Sequence, residues 1–230
     1  MSRFVDALQD GERPLIAEVK RSKPDGSPLV GRRSVGDVVD TYHRIGPGCI
    51  SVVTGSWFGG DDELLSTTRA LTELPILRKD FVTRRDQVTR SRDLGADAVL
   101  LTAGLLPPSG LNALVMQCVD LGLAPFVEVT SAAEVVSLDD PGSCVVAVNN
   151  RDIRVRETDG EGPERSMRLA DAVFAARPAI AVSASGIVSV QAAEALLRRG
   201  YEALLVGSAL LTSADPVEWG RLRRPAGVTL

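Results

Sequence analysis

The 230-residue chain holds only three cysteines and one histidine, and no apolar run in it approaches the roughly 18 residues that a membrane-crossing helix needs. Cys49, Cys118 and Cys144 lie far apart, are odd in number and sit in apolar or helical sequence. That pattern excludes a disulfide framework and reads as buried thiols of a reducing cytoplasm. No metal-ligand spacing is present, and His43 falls on an expected helix, where it reads as a packing or solvent-facing residue. An excess of basic charge is also missing: 26 Lys and Arg stand against 30 Asp and Glu, a net charge of -4. The basic residues are dispersed apart from short pairs such as Arg32-Arg33 and Arg198-Arg199, so there is no electrostatic footprint for nucleic acid. The first ten residues have neither a basic n-region nor an apolar h-region. These absences leave a cytoplasmic protein with no membrane or nucleic-acid partner.

What is present is a rhythm. Hydrophobic residues make up 44% of the chain and charged residues 24%, enough for one well-filled core. Eight short β-rich runs stand out: 15–20, 49–54, 76–79, 98–102, 125–129, 145–149, 180–183 and 203–206. They are nearly continuous in apolar residues rather than alternating, as expected of parallel strands covered on both faces. Helical patterns fill the intervals at 35–45, 61–71, 85–94, 110–121, 132–138, 164–176 and 190–199. Gly95 and Gly200 follow two of them and suit left-handed helix ends. Eight βα units in a chain of this length point to a single-domain (β/α)8 barrel spanning 15–230, preceded by a short N-terminal segment, 1–14. An open doubly wound sheet would more often stop at five or six strands.

Function in such a barrel resides at the strand C-termini and the loops that follow. Strand one ends in Glu18 and Lys20, which alternation aims the same way, into the barrel mouth. Lys79 ends strand three, Glu128 lies on strand five, and Asn149, Asn150 and Arg151 end strand six. Two lysines, two carboxylates and an amide converging on one cavity make an acid/base set, although an inward Lys–Glu pair can also be a salt bridge that fills a core layer. Ser185-Gly186-Ile187 and Gly207-Ser208-Ala209 follow the last two strands, where this fold commonly binds phosphate; a tight turn alone is the alternative reading of either glycine, and two such loops in consecutive places favour phosphate. Trp57-Phe58-Gly59-Gly60 after strand two either covers a substrate or caps the barrel mouth.

Taken in order, the segments Ile16-Ala-Glu-Val-Lys20, Phe58-Gly-Gly60, Leu77-Arg-Lys-Asp-Phe81 with Gln87, Gly95-Ala-Asp-Ala-Val-Leu-Leu101, Val127-Glu-Val129, Val148-Asn-Asn-Arg151, Ser185-Gly-Ile187 and Val206-Gly-Ser208 resemble the indole-3-glycerol phosphate synthase family across almost the whole chain. That family converts 1-(2-carboxyphenylamino)-1-deoxyribulose 5-phosphate into indole-3-glycerol phosphate with loss of carbon dioxide and water, without a cofactor. The resemblance implies a small phosphorylated substrate, and monomer and homodimer are both compatible with the sequence pattern. By the same resemblance Lys79 is the general acid, Glu128 its partner in dehydration, and Lys20 with Glu18 the anchor of the anthranilate carboxylate. Asn149 holds sugar hydroxyls with Arg151 in support, Phe58 and Phe81 contact the substrate, and Ser185, Gly186, Gly207 and Ser208 cradle its phosphate.

Four departures accompany the match. Ala184 stands where the family has a glutamate, and Lys23-Pro24-Asp25 replaces Ser-Pro-Ser, so that Lys23 is expected to bind phosphate in place of a hydroxyl while Asp25 repels it. Gly55-Ser56-Trp57 shortens the loop after strand two, and the family's N-terminal extension is largely missing. These changes leave open a paralogue acting on a related anthranilate-derived or sugar phosphate, or a non-catalytic barrel subunit. An isomerase of phosphoribosyl anthranilate is disfavoured because its family has a cysteine where this chain has Lys20.

Overall fold

In the computed structural model, which describes residues 2–10, 12–23, 25–31, 33–151 and 162–225, eight parallel strands close into a barrel in sequence order. They are β1 (Leu15–Val19), β2 (Cys49–Val53), β3 (Ile76–Lys79), β4 (Ala98–Thr102), β5 (Ala124–Val129), β6 (Val145–Asn149), β7 (Ile180–Ala184) and β8 (Ala203–Val206). Ring closure comes from β1 pairing with β8, Ala17 opposite Val206. Helices α1 (Arg3–Gln9), α2 (Val35–Ile45), α3 (Asp62–Leu71), α4 (Arg85–Asp93), α5 (Pro108–Asp120), α6 (Ala132–Val136), α7 (Glu164–Ala175), α8 (Val190–Arg199) and α9 (Ser208–Thr212) complete the described elements, with short 3-10 turns between them. No helix among the described residues is long and apolar enough to cross a membrane.

Every strand residue is buried, which explains why the runs read as continuous apolar sequence. Alternation nevertheless sorts them. Ile16, Leu77, Leu100, Phe126, Ala147 and Val182 fill the barrel interior. Ala17, Val52, Val99, Val127 and Val148 face outward and pack beneath the helices. Local signals fix the helix ends. Ser34 and Asp37 form a reciprocal capping box on α2, and Gly200 closes α8 at φ 118°, where a side chain would be strained and would crowd Phe174.

The N-terminal segment is more than a lead-in. Ser2 caps α1, and Phe4, Val5 and Leu8 plug the end of the barrel at which the strands begin; Phe4 meets Phe126 edge-on at 6.3 Å. The closed floor leaves the strand C-termini as the open mouth. His43 on α2 is a solvent-facing residue that shares a 2.9 Å hydrogen bond with Thr72 just past α3. The three cysteines are buried free thiols, and burial pushes Cys118 and Cys144 up to about 12, which makes them poor nucleophiles.

Candidate active site

Glu18, Lys20 and Lys79 meet at the mouth of the barrel. The Lys20 Nζ lies 3.0 Å from Glu18 Oε1 and the Lys79 Nζ 3.6 Å from Glu18 Oε2, all three side chains being buried. Desolvation by itself would drive the Glu18 carboxyl toward its neutral form, but the two lysines beside it outweigh that and hold its pKa below the usual carboxylate value. The strand geometry is what delivers the cluster: Glu18 and Lys79 point inward from β1 and β3, and Lys20 follows β1 by one residue. Gly207, just after β8, completes the arrangement. A Cβ there would collide with the Glu18 carboxylate and its Cβ. Gly207→Ala is therefore expected to cost roughly 1–3 kcal/mol by overpacking, read as a fall in Tm, and to displace Glu18 from Lys20.

Across the mouth, Asn149 on β6 donates from Nδ2 to Glu128 Oε1 on β5 at 2.9 Å, both groups being buried. The orientation of the amide is determined. Its Oδ1 accepts the Arg151 backbone N–H at 2.9 Å, so the NH2 end must face the carboxylate. Arg165 from α7 donates to the Asn149 carbonyl at 2.7 Å and braces the same turn.

Two cavities open onto these groups. The first, about 50 Å³, is bounded by Glu18, Lys20, Lys79 and Arg151 on one side and by the loops after β7 and β8, including Ser185, Gly186, Gly207 and Ser208, on the other. The second, about 20 Å³, is an aromatic slot lined by Trp57, Phe58, Phe81, Leu100, Lys79 and Glu128. Phe58 lies under Lys20, its ring centroid 5.3 Å from Nζ, and Trp57 stacks on Phe81 with centroids 4.5 Å apart. Lys79 borders both cavities, so a bound molecule could present an aromatic part to the slot and an oxyanion to the first cavity while its middle meets an ammonium and a carboxylate.

The structure thus brings together Glu18, Lys20, Lys79, Glu128, Asn149, Arg151, Phe58, Phe81, Ser185, Gly186, Gly207 and Ser208. It leaves Lys23 out. Ser22 and Pro28 form an antiparallel bridge, the intervening turn exposes Lys23, and that residue lines neither cavity. Pro24 lies outside the described residues. Asp25 is turned to Ser27, whose hydroxyl and backbone N–H hold its carboxyl below the usual range. Arg78, adjacent to Lys79 on β3, faces the other way and bonds Thr54, Asp80 and Asp62 as a structural clamp. Leu100 and Ile187, which lie in matched segments but are not among the expected site residues, join the cavity walls. Trp57 earns its place by pairing with a ring 24 positions away, which no local pattern signals. Ala184 points into the barrel interior in register with Asn149 and Leu205.

A family model described as indole-3-glycerol phosphate synthase matches residues 1–219. The indole-3-glycerol phosphate synthase of Carboxydothermus hydrogenoformans is 36% identical over 207 residues, covering 90% of this chain and 77% of that protein. Indole-3-glycerol phosphate synthase 2 of Streptomyces coelicolor is also 36% identical, covering 93% and 81%. Among solved structures, 3-hexulose-6-phosphate synthase from Salmonella typhimurium superposes with a TM-score of 0.69 over 90% of this chain and 95% of that one; at 16% identity the likeness is one of fold.

Proposed function

The chain belongs to the indole-3-glycerol phosphate synthase family, and on that premise we propose that it closes the indole ring of 1-(2-carboxyphenylamino)-1-deoxyribulose 5-phosphate, releasing carbon dioxide and water. The observation that carries this reading is Lys79, which borders both cavities with Glu18 on one side and Glu128 on the other. The aryl group packs against the rings that line the aromatic slot, and the phosphate enters the cavity below the loops after β7 and β8. Lys20, held by Glu18, faces the anthranilate carboxylate. Ring closure requires the substrate carbonyl oxygen to gain a proton as the aryl carbon attacks, and Lys79 supplies it. The carboxylate leaves as carbon dioxide and its bonding electrons restore the aromatic ring. Loss of water then needs an acid at the departing hydroxyl and a base for a ring proton; Lys79 and Glu128 divide these roles, with Asn149 orienting Glu128 and binding sugar hydroxyls. Arg151 supports the turn, and the Ser185, Gly186, Gly207 and Ser208 segments receive the phosphate. On the same reading, residues 15–230 form one catalytic domain preceded by a short N-terminal segment, and the protein works in the cytoplasm as a monomer or homodimer.

The test is a steady-state assay of the purified protein with this substrate, following indole fluorescence. Product formation that saturates with substrate supports the reading; binding without product would move the assignment to a relative with another substrate.

Ala184 offers a second check. A carboxylate at this position would stand beside Asn149, which already orients Glu128. Ala184→Glu is expected to raise turnover while lowering Tm, because it buries a charged group at a fully buried site. A fall in turnover, measured in the same assay, would mean that the alanine makes room for a different substrate.

A further inference from the structure

We propose that Asn150 is a positioning residue for the phosphate of the substrate, acting through the backbone of the loop after β7; this rests on the phosphate reading of the cavity given above. Asn149 and Asn150 are adjacent at the end of β6, so their side chains part company. The first faces Glu128; the second is fully buried beneath the loop after β7. The Asn150 Nδ2 lies 3.1 Å from Ser183 Oγ, 3.0 Å from the Ala184 carbonyl oxygen and 3.1 Å from the Ser185 carbonyl oxygen. Its backbone N–H also donates to the Ala184 carbonyl at 2.9 Å. Its Oδ1 accepts the Ser166 N–H at 2.8 Å. Both ends of the amide are consumed by protein partners, so Asn150 has nothing left to offer a substrate and acts only through what it holds.

What it holds is an unusual backbone. Ser185 and Gly186 both have positive φ, 65° and 68°. Glycine takes that conformation freely, whereas a serine Cβ resists it. The two carbonyls that Asn150 grips, those of Ala184 and Ser185, belong to the peptides on either side of Ser185. The clamp therefore fixes the one residue of the pair that would not adopt the turn by itself, and the segment that leaves the turn, Gly186 to Val188, lines the anion cavity.

The clamp is itself anchored. Ser166, in the first turn of α7, shares a 2.7 Å hydrogen bond with Ser183 Oγ, and the buried Tyr201 hydroxyl donates to the Ser166 carbonyl at 2.7 Å. Tyr201 in turn packs on Phe174 of α7 with ring centroids 5.4 Å apart. A buried polar chain thus runs from the start of β8 through α7 to the loop, and Asn150 is its last link.

The test compares Asn150→Ala, and Asn150→Asp as a variant of the same shape that keeps an acceptor for the Ser166 N–H but loses both donors to the loop. Each is assayed for kcat and KM with the phosphorylated substrate, and for competitive inhibition by inorganic phosphate. The expected result is a KM and a phosphate inhibition constant raised together by about tenfold to a hundredfold, with kcat changed by no more than about threefold. Ser185→Gly added to either variant is expected to restore much of the loss, since glycine needs no clamp to hold a positive φ. A folded variant with unchanged KM and phosphate inhibition overturns the proposal, as does a loss confined to kcat, or a loss that Ser185→Gly fails to relieve. If the unaltered protein turns the substrate over but phosphate does not compete with it, the phosphate reading of the cavity fails instead.

Discussion

Replacing Lys79 with methionine is expected to lower kcat by about a thousandfold or more, since a positioned general acid contributes on the order of 10²–10⁴ and this one is asked to serve two steps. Methionine fills most of the lysine's length with an unbranched apolar chain, so the β3 end should keep its packing. Glu18 loses its 3.6 Å partner but keeps Lys20 at 3.0 Å, and the carboxylate is not stranded in the barrel. The fold should therefore survive while the proton source disappears. KM should move little, because the rings of the aromatic slot, Lys20 and the loops after β7 and β8 keep their identity and methionine fills most of the space the lysine leaves. Steady-state fluorescence together with thermal melting checks both halves. Unchanged turnover would remove Lys79 from the mechanism and revive the reading of the Glu18–Lys79 contact as a core salt bridge.

The contrast between the two lysine contacts shows how far sequence could reach. All eight strands were visible because burial on both faces leaves an unbroken apolar run, and their ends in the structure fall within a residue or two of the expected ones. β7 extends through Ala184, and β1 stops at Val19, one residue before Lys20. Helix α1 was not visible, since a seven-residue helix has too few turns to establish a period. Its role as the barrel floor follows only from where the strands begin.

At the site, the residues that project from strands were legible by alternation: Glu18, Lys79, Glu128 and Asn149 all arrive where period two sends them. Residues on loops were less so. Lys23 was expected to meet phosphate, but a bridge between Ser22 and Pro28 leaves it exposed. Gly186 signals a turn after β7, but serine does not signal the positive φ that Ser185 adopts there, and the amide that grips its carbonyl, Asn150, comes from the end of another strand. Arg78 illustrates the converse: beside Lys79 in sequence, it serves a structural network on the opposite face of β3.

Glu128→Gln separates chemistry from support at the other side of the mouth. The glutamine Oε1 can accept from Asn149 Nδ2 as the carboxylate does, and the Arg151 N–H still fixes which end of Asn149 faces it. A neutral amide also costs less to bury than a carboxylate at a site only 2% exposed. Stability should accordingly change by no more than about 1 kcal/mol, which for a domain of this size shifts Tm by roughly 2–4 °C. The rate should fall much further, by about 10²–10⁴, because the amide cannot take or return a proton in the dehydration step. The sign of the comparison decides the role. A sharp loss of turnover at nearly constant Tm makes Glu128 a catalytic residue, whereas a collapse of both would mean that the Glu128–Asn149 contact chiefly holds β5 against β6. Because the hydrogen bond survives the substitution and the proton-transfer capacity does not, any large kinetic effect in a protein that still melts normally has to come from the chemistry.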